Sequence, residues 1–208
     1  MKPSAPPTMG LLETTGFTPA MVALDTMEKG FQIQVLQAEL NDLLGVCIKI
    51  VGDLDQIEPA LSAGKGIAAQ LQGAPVTTSL NRCEEGCYSI IDVPSEFNPL
   101  IQQDVIHLPK GQKTMPETPS IAALGFIETQ GFTAVFEAID TACKTAEVEV
   151  IGKEKLGGGY VTVVLKGDVA AVKTAVEAGS QKVDQLGKLV AAHVVTRPSQ
   201  SVLCLLPD

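Results

Sequence analysis

Apolar positions in the second half of the chain predict alternating strands and helices. Four short stretches rich in β-branched residues are typical of strands and cover residues 124–129, 148–151, 160–165 and 189–195. Apolar residues recur at helical spacing in 134–145 and 169–186, and Thr133 is the expected N-cap of the first of these helices. The order β-α-β-β-α-β predicts an α+β fold of the split βαβ (ferredoxin-like) type, with helices on one face of a sheet.

The same pattern occurs a second time in the first half of the chain. A shift of 115 residues aligns Gly10–Thr18 with Gly125–Thr133, where six of nine positions are identical, and the alignment continues without a gap to Arg82 and Arg197. It contains 21 identities in 73 positions, and most mismatches exchange one aliphatic residue for another, which preserves core volume. The chain is therefore predicted to be a tandem duplication of one domain.

The repeat sets the predicted domain boundaries. They are an N-terminal extension at 1–8, a first domain at 9–88 (copy one), a linker at 89–120 and a second domain at 121–208 (copy two). Five prolines in a mostly polar context favour a linker that crosses from one domain to the next. Apolar pieces at 100–101 and 105–106 predict that it is partly docked, whereas a disordered tether fits 110–120 better.

Composition and charge exclude several function classes. With 15 Lys and Arg against 24 Asp and Glu, the net charge is −9, so neither nucleic acid nor an anionic membrane is an expected partner. No apolar run reaches the roughly 18 residues that span a bilayer, and the start of the chain lacks the apolar core of a signal peptide, so a cytoplasmic protein is expected. The five cysteines are expected to be reduced.

Several strings in copy two resemble the bacterial microcompartment shell domain. They are Leu124–Thr129, Ala138–Ala146, Lys155–Val163, Gly167–Val172 and Thr196–Pro198. Two fused copies resemble the tandem-domain, trimer-forming shell proteins. The resemblance implies a structural protein that forms a pseudohexameric homotrimer, whose six domains mimic a hexagonal tile. Such tiles pack with single-domain hexamers into a shell around metabolic enzymes, and small metabolites pass through a central pore.

The resemblance also implies residues at the edge of the tile. Lys144 matches the lysine that lies across the tile-tile contact in this family, and Lys29 matches it in copy one. Arg197 belongs to a second edge motif, in which it is followed by proline. Arg82 is its counterpart in copy one, but a cysteine follows there, which departs from the family pattern. Without the family match, both lysines would be ordinary solvated helix residues.

The loop between the second and third strands lines the pore in this family, and it differs between the copies. The nine candidate pore residues are Lys155, Leu156, Gly157, Gly158 and Gly159 in copy two and Asn41, Asp42, Leu43 and Leu44 in copy one. Residues other than glycine rarely adopt positive φ, so the first loop is not expected to follow the same backbone path at low cost. The pore is therefore predicted to have threefold rather than sixfold character.

Two residues of the first loop would set the selectivity of the pore. An inward ring of Asp42 would favour cations, whereas an inward Leu43 would form an apolar gate. In the alternative, Asp42 caps the turn between strands and Leu43 packs in the core. Gly157–Gly159 precede a strand, not a helix, so the sequence does not favour a phosphate-binding loop.

The sequence gives little support for an enzyme, and no cofactor or metal is expected. His107 and His193 lack a nucleophile that the sequence places beside them, and the spacing of Cys83 and Cys87 is not a usual metal pattern. Glu13 and Glu128 are equivalent carboxylates and favour a role in the scaffold. Two alternatives stay open: a trimeric small-molecule sensor, and an electron-transfer shell component with an axial iron-sulfur cluster, although neither loop contains cysteine.

Overall fold

The computed structural model describes residues 7–41, 44–81, 94, 96–99, 101, 103–109, 121–184 and 186–206. Several predictions fall outside these residues. They concern residues 1–6 of the extension, Asp42, Leu43, Arg82, Cys83, Cys87, and the linker at Leu100 and at 110–120.

Within the described residues, each copy has the predicted order of elements. Copy one consists of β1 (Thr8–Thr15), α1 (Phe17–Gly30), β2 (Gln34–Asn41), β3 (Gly45–Gly52), α2 (Leu54–Gln70) and β4 (Val76–Leu80). The linker contributes β5 (Phe97–Asn98), β6 (Gln103–Asp104) and β7 (Ile106–His107). Copy two consists of β8 (Ala123–Gln130), α3 (Phe132–Thr145), β9 (Glu149–Gly157), β10 (Tyr160–Gly167), α4 (Val169–Gln181) and β11 (Lys188–Thr196), and it is followed by α5 (Gln200–Cys204).

Both copies form an antiparallel sheet with the same strand order. The order is β4-β1-β3-β2 in copy one and β11-β8-β10-β9 in copy two. In each copy the two long helices pack against each other and against the sheet. This is the split βαβ arrangement, so the predicted fold class is confirmed. The linker strand β7 extends the first sheet by pairing with β2, and Ile106 is buried there.

The structure corrects three predicted boundaries in copy two. Helix α3 begins at Phe132 and its cap is Gly131, so the prediction of Thr133 as N-cap was wrong. The φ of Gly131 is 125°, a conformation open to glycine, and it turns the chain from β8 directly into the helix. Helix α4 ends at Gln181, before the predicted residue 186. The chain turns after Gln181, but Val183 still packs in the core, so its apolar position does not mark a helical residue. Strand β9 continues to Gly157, beyond the predicted end at residue 151.

Strand β8 separates two hydrophobic cores because its side chains alternate between its faces. Ile127 points towards α3 and α4 and belongs to the core of copy two. Leu124 and Phe126 point the other way and belong to a core cluster that is built mainly from copy one. The two copies therefore share a continuous apolar contact.

Candidate functional site

The two loops predicted to line the pore meet within one chain. A Cβ atom on Gly158 would lie 2.7 Å from Cδ2 of Leu44, so the leucine side chain covers the glycine backbone. Any side chain at residue 158 would have to displace Leu44. Leu44 of copy one and Gly158 of copy two are therefore in contact, and both are predicted pore residues.

The ends of the two loops have equivalent backbone contacts. The carbonyl oxygen of Leu44 accepts from the N–H of Gly16, and that of Gly159 accepts from the N–H of Gly131, both at 2.9 Å. Leu44 has a φ of 63° and its counterpart Gly159 a φ of 82°. Leu44 thus adopts the left-handed conformation of its counterpart, which is costly for a residue other than glycine. The hydrogen bond to Gly16 holds it there.

The other described loop residues have structural contacts. The Asn41 side chain accepts from the N–H of Gly45 at 2.9 Å and donates to the carboxylate of Glu13. Leu156 is buried in the core shared by the two copies. The carbonyl of Lys155 accepts from the Gln103 side chain of the linker at 2.8 Å. Within one chain, Asn41 and Leu156 therefore stabilise the loops through their side chains.

Glu128 of copy two binds the first turn of a helix in copy one. Its side chain is fully buried, and its two oxygens accept from the N–H groups of Phe17 and Thr18, both at 2.9 Å. These N–H groups begin α1 and have no acceptor within the helix. Burial raises the pKa of Glu128, and the N–H groups of Thr18 and Phe17 oppose that shift. The repeat predicted a scaffold role for Glu128 but indicated no partner.

Further hydrogen bonds join the C-terminal part of copy two to α1. The N–H of Ser199 donates to Oδ1 of Asp25 at 2.8 Å, and Nζ of Lys29 donates to the carbonyl oxygen of Thr196 at 2.9 Å. Ser201 donates to the carboxylate of Glu28. We call this contact between α1 and Glu128, Thr196, Ser199 and Ser201 the interdomain joint.

Comparison with known families identifies both copies. The model of the BMC domain matches residues 8–80 and 123–198, which together make up most of the chain. The chain belongs to the BMC-domain family. The predicted resemblance to tandem microcompartment shell proteins is confirmed.

Relatives with this domain are named as shell proteins, not as enzymes. The microcompartment shell protein PduA of Citrobacter freundii is 47% identical over 85 residues, which cover 41% of this chain and 91% of PduA. The carboxysome shell protein CsoS1 of Prochlorococcus marinus strain SARG is 49% identical over 87 residues, 41% of this chain and 84% of CsoS1. A solved microcompartment protein from Desulfitobacterium hafniense DCB is 26% identical, with a TM-score of 0.39, and the match covers 95% of this chain and 98% of that one.

The predicted edge residues of the two BMC domains have different surroundings. Lys29 lies at the interdomain joint and also pairs with Asp25 at 2.5 Å. Lys144 is largely exposed and pairs with Asp140 at 2.6 Å. Arg197 has a φ of 47°, and its N–H donates to the carbonyl of Ala122 at 2.9 Å. Their role at a tile edge stays a prediction.

A buried carboxylate joins the linker to the second BMC domain. Glu154 is almost fully buried; Gln103 donates to it, and its Oε2 lies 4.0 Å from Nε2 of His107. Burial raises the pKa of Glu154 to about 7, although the Gln103 amide and Lys155 lower it. Its counterpart Glu39 forms an ion pair with Lys49 instead. This group was not predicted, although the Glu39/Glu154 identity in the repeat was a signal.

The raised pKa predicts that stability falls as the pH rises. The favourable contribution of protonated Glu154 is fully present below its unfolded pKa of about 4.5 and is lost as the pH rises through about 7. We expect the free energy of unfolding to decrease by about 2 kcal/mol across this window through this group. Urea unfolding between pH 5 and 8 measures the effect, and Glu154→Gln should remove most of it. An equal pH slope in wild type and variant would contradict the assignment.

The remaining candidate chemistry gives no metal centre in the described part of the chain. No group of three or more His, Cys, Asp or Glu side chains there is placed to hold a metal ion. Burial raises the pKa of Cys47 to about 11, so its thiol is protonated at neutral pH. Burial lowers the pKa of His193, whose imidazole lies near Asp25 across the interdomain joint.

Among the described helices, none has the length and apolar character needed to cross a bilayer.

Proposed function

We propose that this BMC-domain protein is a structural subunit of a bacterial microcompartment shell and acts as a pseudohexameric homotrimer. The observation that carries the proposal is the contact of Leu44 with Gly158, because it brings the two loops of one chain to a common point. Three chains arranged around that point would supply six BMC domains, the number in a hexagonal tile. The names of the relatives, which are microcompartment and carboxysome shell proteins, support the same role.

The proposed trimer has a central pore for small metabolites. Three copies of each loop would alternate around the axis, so residues from 41–44 and 155–159 would form two different sets of three. An inward Asp42 would favour cations, and an inward Leu43 would restrict polar solutes. Leu44 supports a difference between the two sets of loops. Its side chain covers Gly158, whereas Gly159, the equivalent residue of copy two, has no side chain.

Assembly tests the proposed shell role. The chain should be co-expressed with a single-domain BMC shell protein, and the products examined by electron microscopy and sedimentation velocity. We expect trimers that enter sheets or closed shells, with Lys144 and Arg197 at the tile edges. Discrete trimers that never enter sheets would contradict the shell role and favour the alternative, a small-molecule sensor. An axial iron-sulfur cluster would instead appear in metal analysis of anaerobically purified protein.

The pore proposal predicts that Leu43→Gly increases the passage of small polar solutes through assembled shells. Removing three leucine side chains from one ring would widen the pore and reduce its apolar character. Passage can be measured as the rate at which an encapsulated reporter enzyme converts an added substrate. Leu54→Gly is the matched control, because Leu54 is an exposed residue at the start of α2 and lies outside both loops. Equal rates for both variants and the wild type would contradict an inward Leu43.

A further inference from the structure

Two equivalent helices of this chain have opposite environments. Phe17 and Met21 of α1 are buried, with 1% and 0% of their surface exposed. Their counterparts in α3, Phe132 and Phe136, are 45% and 57% exposed. Because the copies share fold and register, the difference comes from the surroundings and not from the helices themselves. One helix is covered by a neighbouring BMC domain and the other is not.

The cover on α1 is the interdomain joint. Its most buried polar contact is the Glu128 carboxylate on the N–H groups of Phe17 and Thr18. All these groups recur in the other copy: Glu13, Phe132 and Thr133 are identical to Glu128, Phe17 and Thr18 and occupy the same positions after the shift of 115 residues. The chain thus contains a second set of the residues that form this buried contact.

The second set is not joined within the chain. Glu13 is exposed on the free face of the first sheet, where Asn41 donates to one of its oxygens. Val76, which lies opposite Glu13 on β4, is 66% exposed, whereas its counterpart Ala191 opposite Glu128 is buried. On α3, an open groove of about 890 Å³ runs past Phe132 and Phe136. Both halves of the carboxylate contact are therefore present in the chain, but they do not meet each other within it.

We infer that the occupant of the α3 groove is a second copy of this chain, and that Glu13 of that copy accepts from the N–H groups of Phe132 and Thr133. This inference rests on the proposed trimer and assigns the contact that closes it. A carboxylate at a helix N-terminus satisfies free donors and is stabilised by the helix dipole. Val76 and the rest of the β1–β4 face cover the phenylalanines. Because the two halves are different surfaces, the contact is head-to-tail, and it closes into a ring when each step rotates by one third of a turn, as the proposed trimer requires.

The test compares the mass of wild type and variants by sedimentation velocity over a range of protein concentrations. Glu13→Ala should raise the concentration at which the trimer is half dissociated by at least about tenfold, since each joint loses an acceptor for two N–H groups. Glu177→Ala, which removes an exposed carboxylate on α4, should leave that concentration unchanged. Circular dichroism and urea unfolding check that the dissociated chains remain folded.

A second pair of variants tests the apolar part of the same contact. Phe136→Asp should give folded monomers, because Phe136 is exposed within one chain and buried only in the inferred contact. Met21→Asp, at the equivalent position, should unfold copy one. If the wild type is a trimer and its Glu13→Ala and Phe136→Asp variants associate as tightly, the inferred contact is wrong and the proposed trimer is unaffected. A monomeric wild type at all concentrations would overturn the proposed trimer itself.

Discussion

Replacing Gly179 with alanine should lower the free energy of unfolding by about 2 kcal/mol, although alanine is the better helix former. Gly179 lies in α4, where a Cβ atom would sit 2.7 Å from the carbonyl oxygen of Ala138 and 2.8 Å from Cδ1 of Ile127. The carbonyl belongs to the backbone of α3, so the clash is relieved only if the two helices separate. That separation would reduce packing throughout the core of copy two.

Two glycines of α2 provide matched controls for this variant. Gly64 is the counterpart of Gly179, but a Cβ atom there would meet the side chains of Leu12 and Met27, both at 2.8 Å. Because methionine adapts to its surroundings, Gly64→Ala should cost less than Gly179→Ala. A Cβ atom on Gly66 would meet nothing within 4 Å, so Gly66→Ala should stabilise by up to about 1 kcal/mol.

Urea unfolding of the three variants gives the order of stability. The expected order is Gly66→Ala above wild type, then Gly64→Ala, then Gly179→Ala. If Gly179→Ala were as stable as Gly66→Ala, the close approach of α3 and α4 would be contradicted. The clash lies within copy two. A lower stability of Gly179→Ala would therefore report on the packing of α3 against α4 within one chain and not on trimer assembly.

The repeat in the sequence was sufficient to predict the fold class because it preserves residues that close packing requires. Gly64 and Gly179 are identical since both lie where two helices approach each other. Short apolar stretches rich in β-branched residues likewise identified β8 and β10. The helix start was missed because Thr133 is a common N-cap residue, whereas the structure uses Gly131 for the turn between β8 and α3.

Most of the candidate site could not be predicted because it depends on which surfaces meet. Glu13 and Glu128 are the same residue in the same motif, yet one is exposed and the other fully buried. Leu44 adopts a positive φ through a tertiary hydrogen bond, which local preference does not encode. The pKa of Glu154 is raised by burial beneath the linker, and the pattern of the strand alone gives no sign of that cover.

The Glu128→Ala variant should lose about 3 kcal/mol of the free energy of unfolding. It would leave the buried N–H groups of Phe17 and Thr18 without acceptors and open a cavity between the two copies. Glu128→Gln keeps the side-chain volume and one acceptor oxygen, so its loss should be smaller. Its amide group would still face one of the N–H groups, which prevents full recovery.

Urea unfolding compares these variants with Glu177→Ala, which removes an exposed carboxylate from α4 and should change stability little. Amide hydrogen exchange adds a local measurement: the N–H groups of Phe17 and Thr18 should exchange faster in Glu128→Ala, while the middle of α2 is unaffected. An Ala variant as stable as the Glu177→Ala control, with unchanged exchange at these two residues, would show that the carboxylate does not hold α1. The inferred contact of Glu13 with α3 would then lose its template, because it depends on the same chemistry at the identical residues of the other copy.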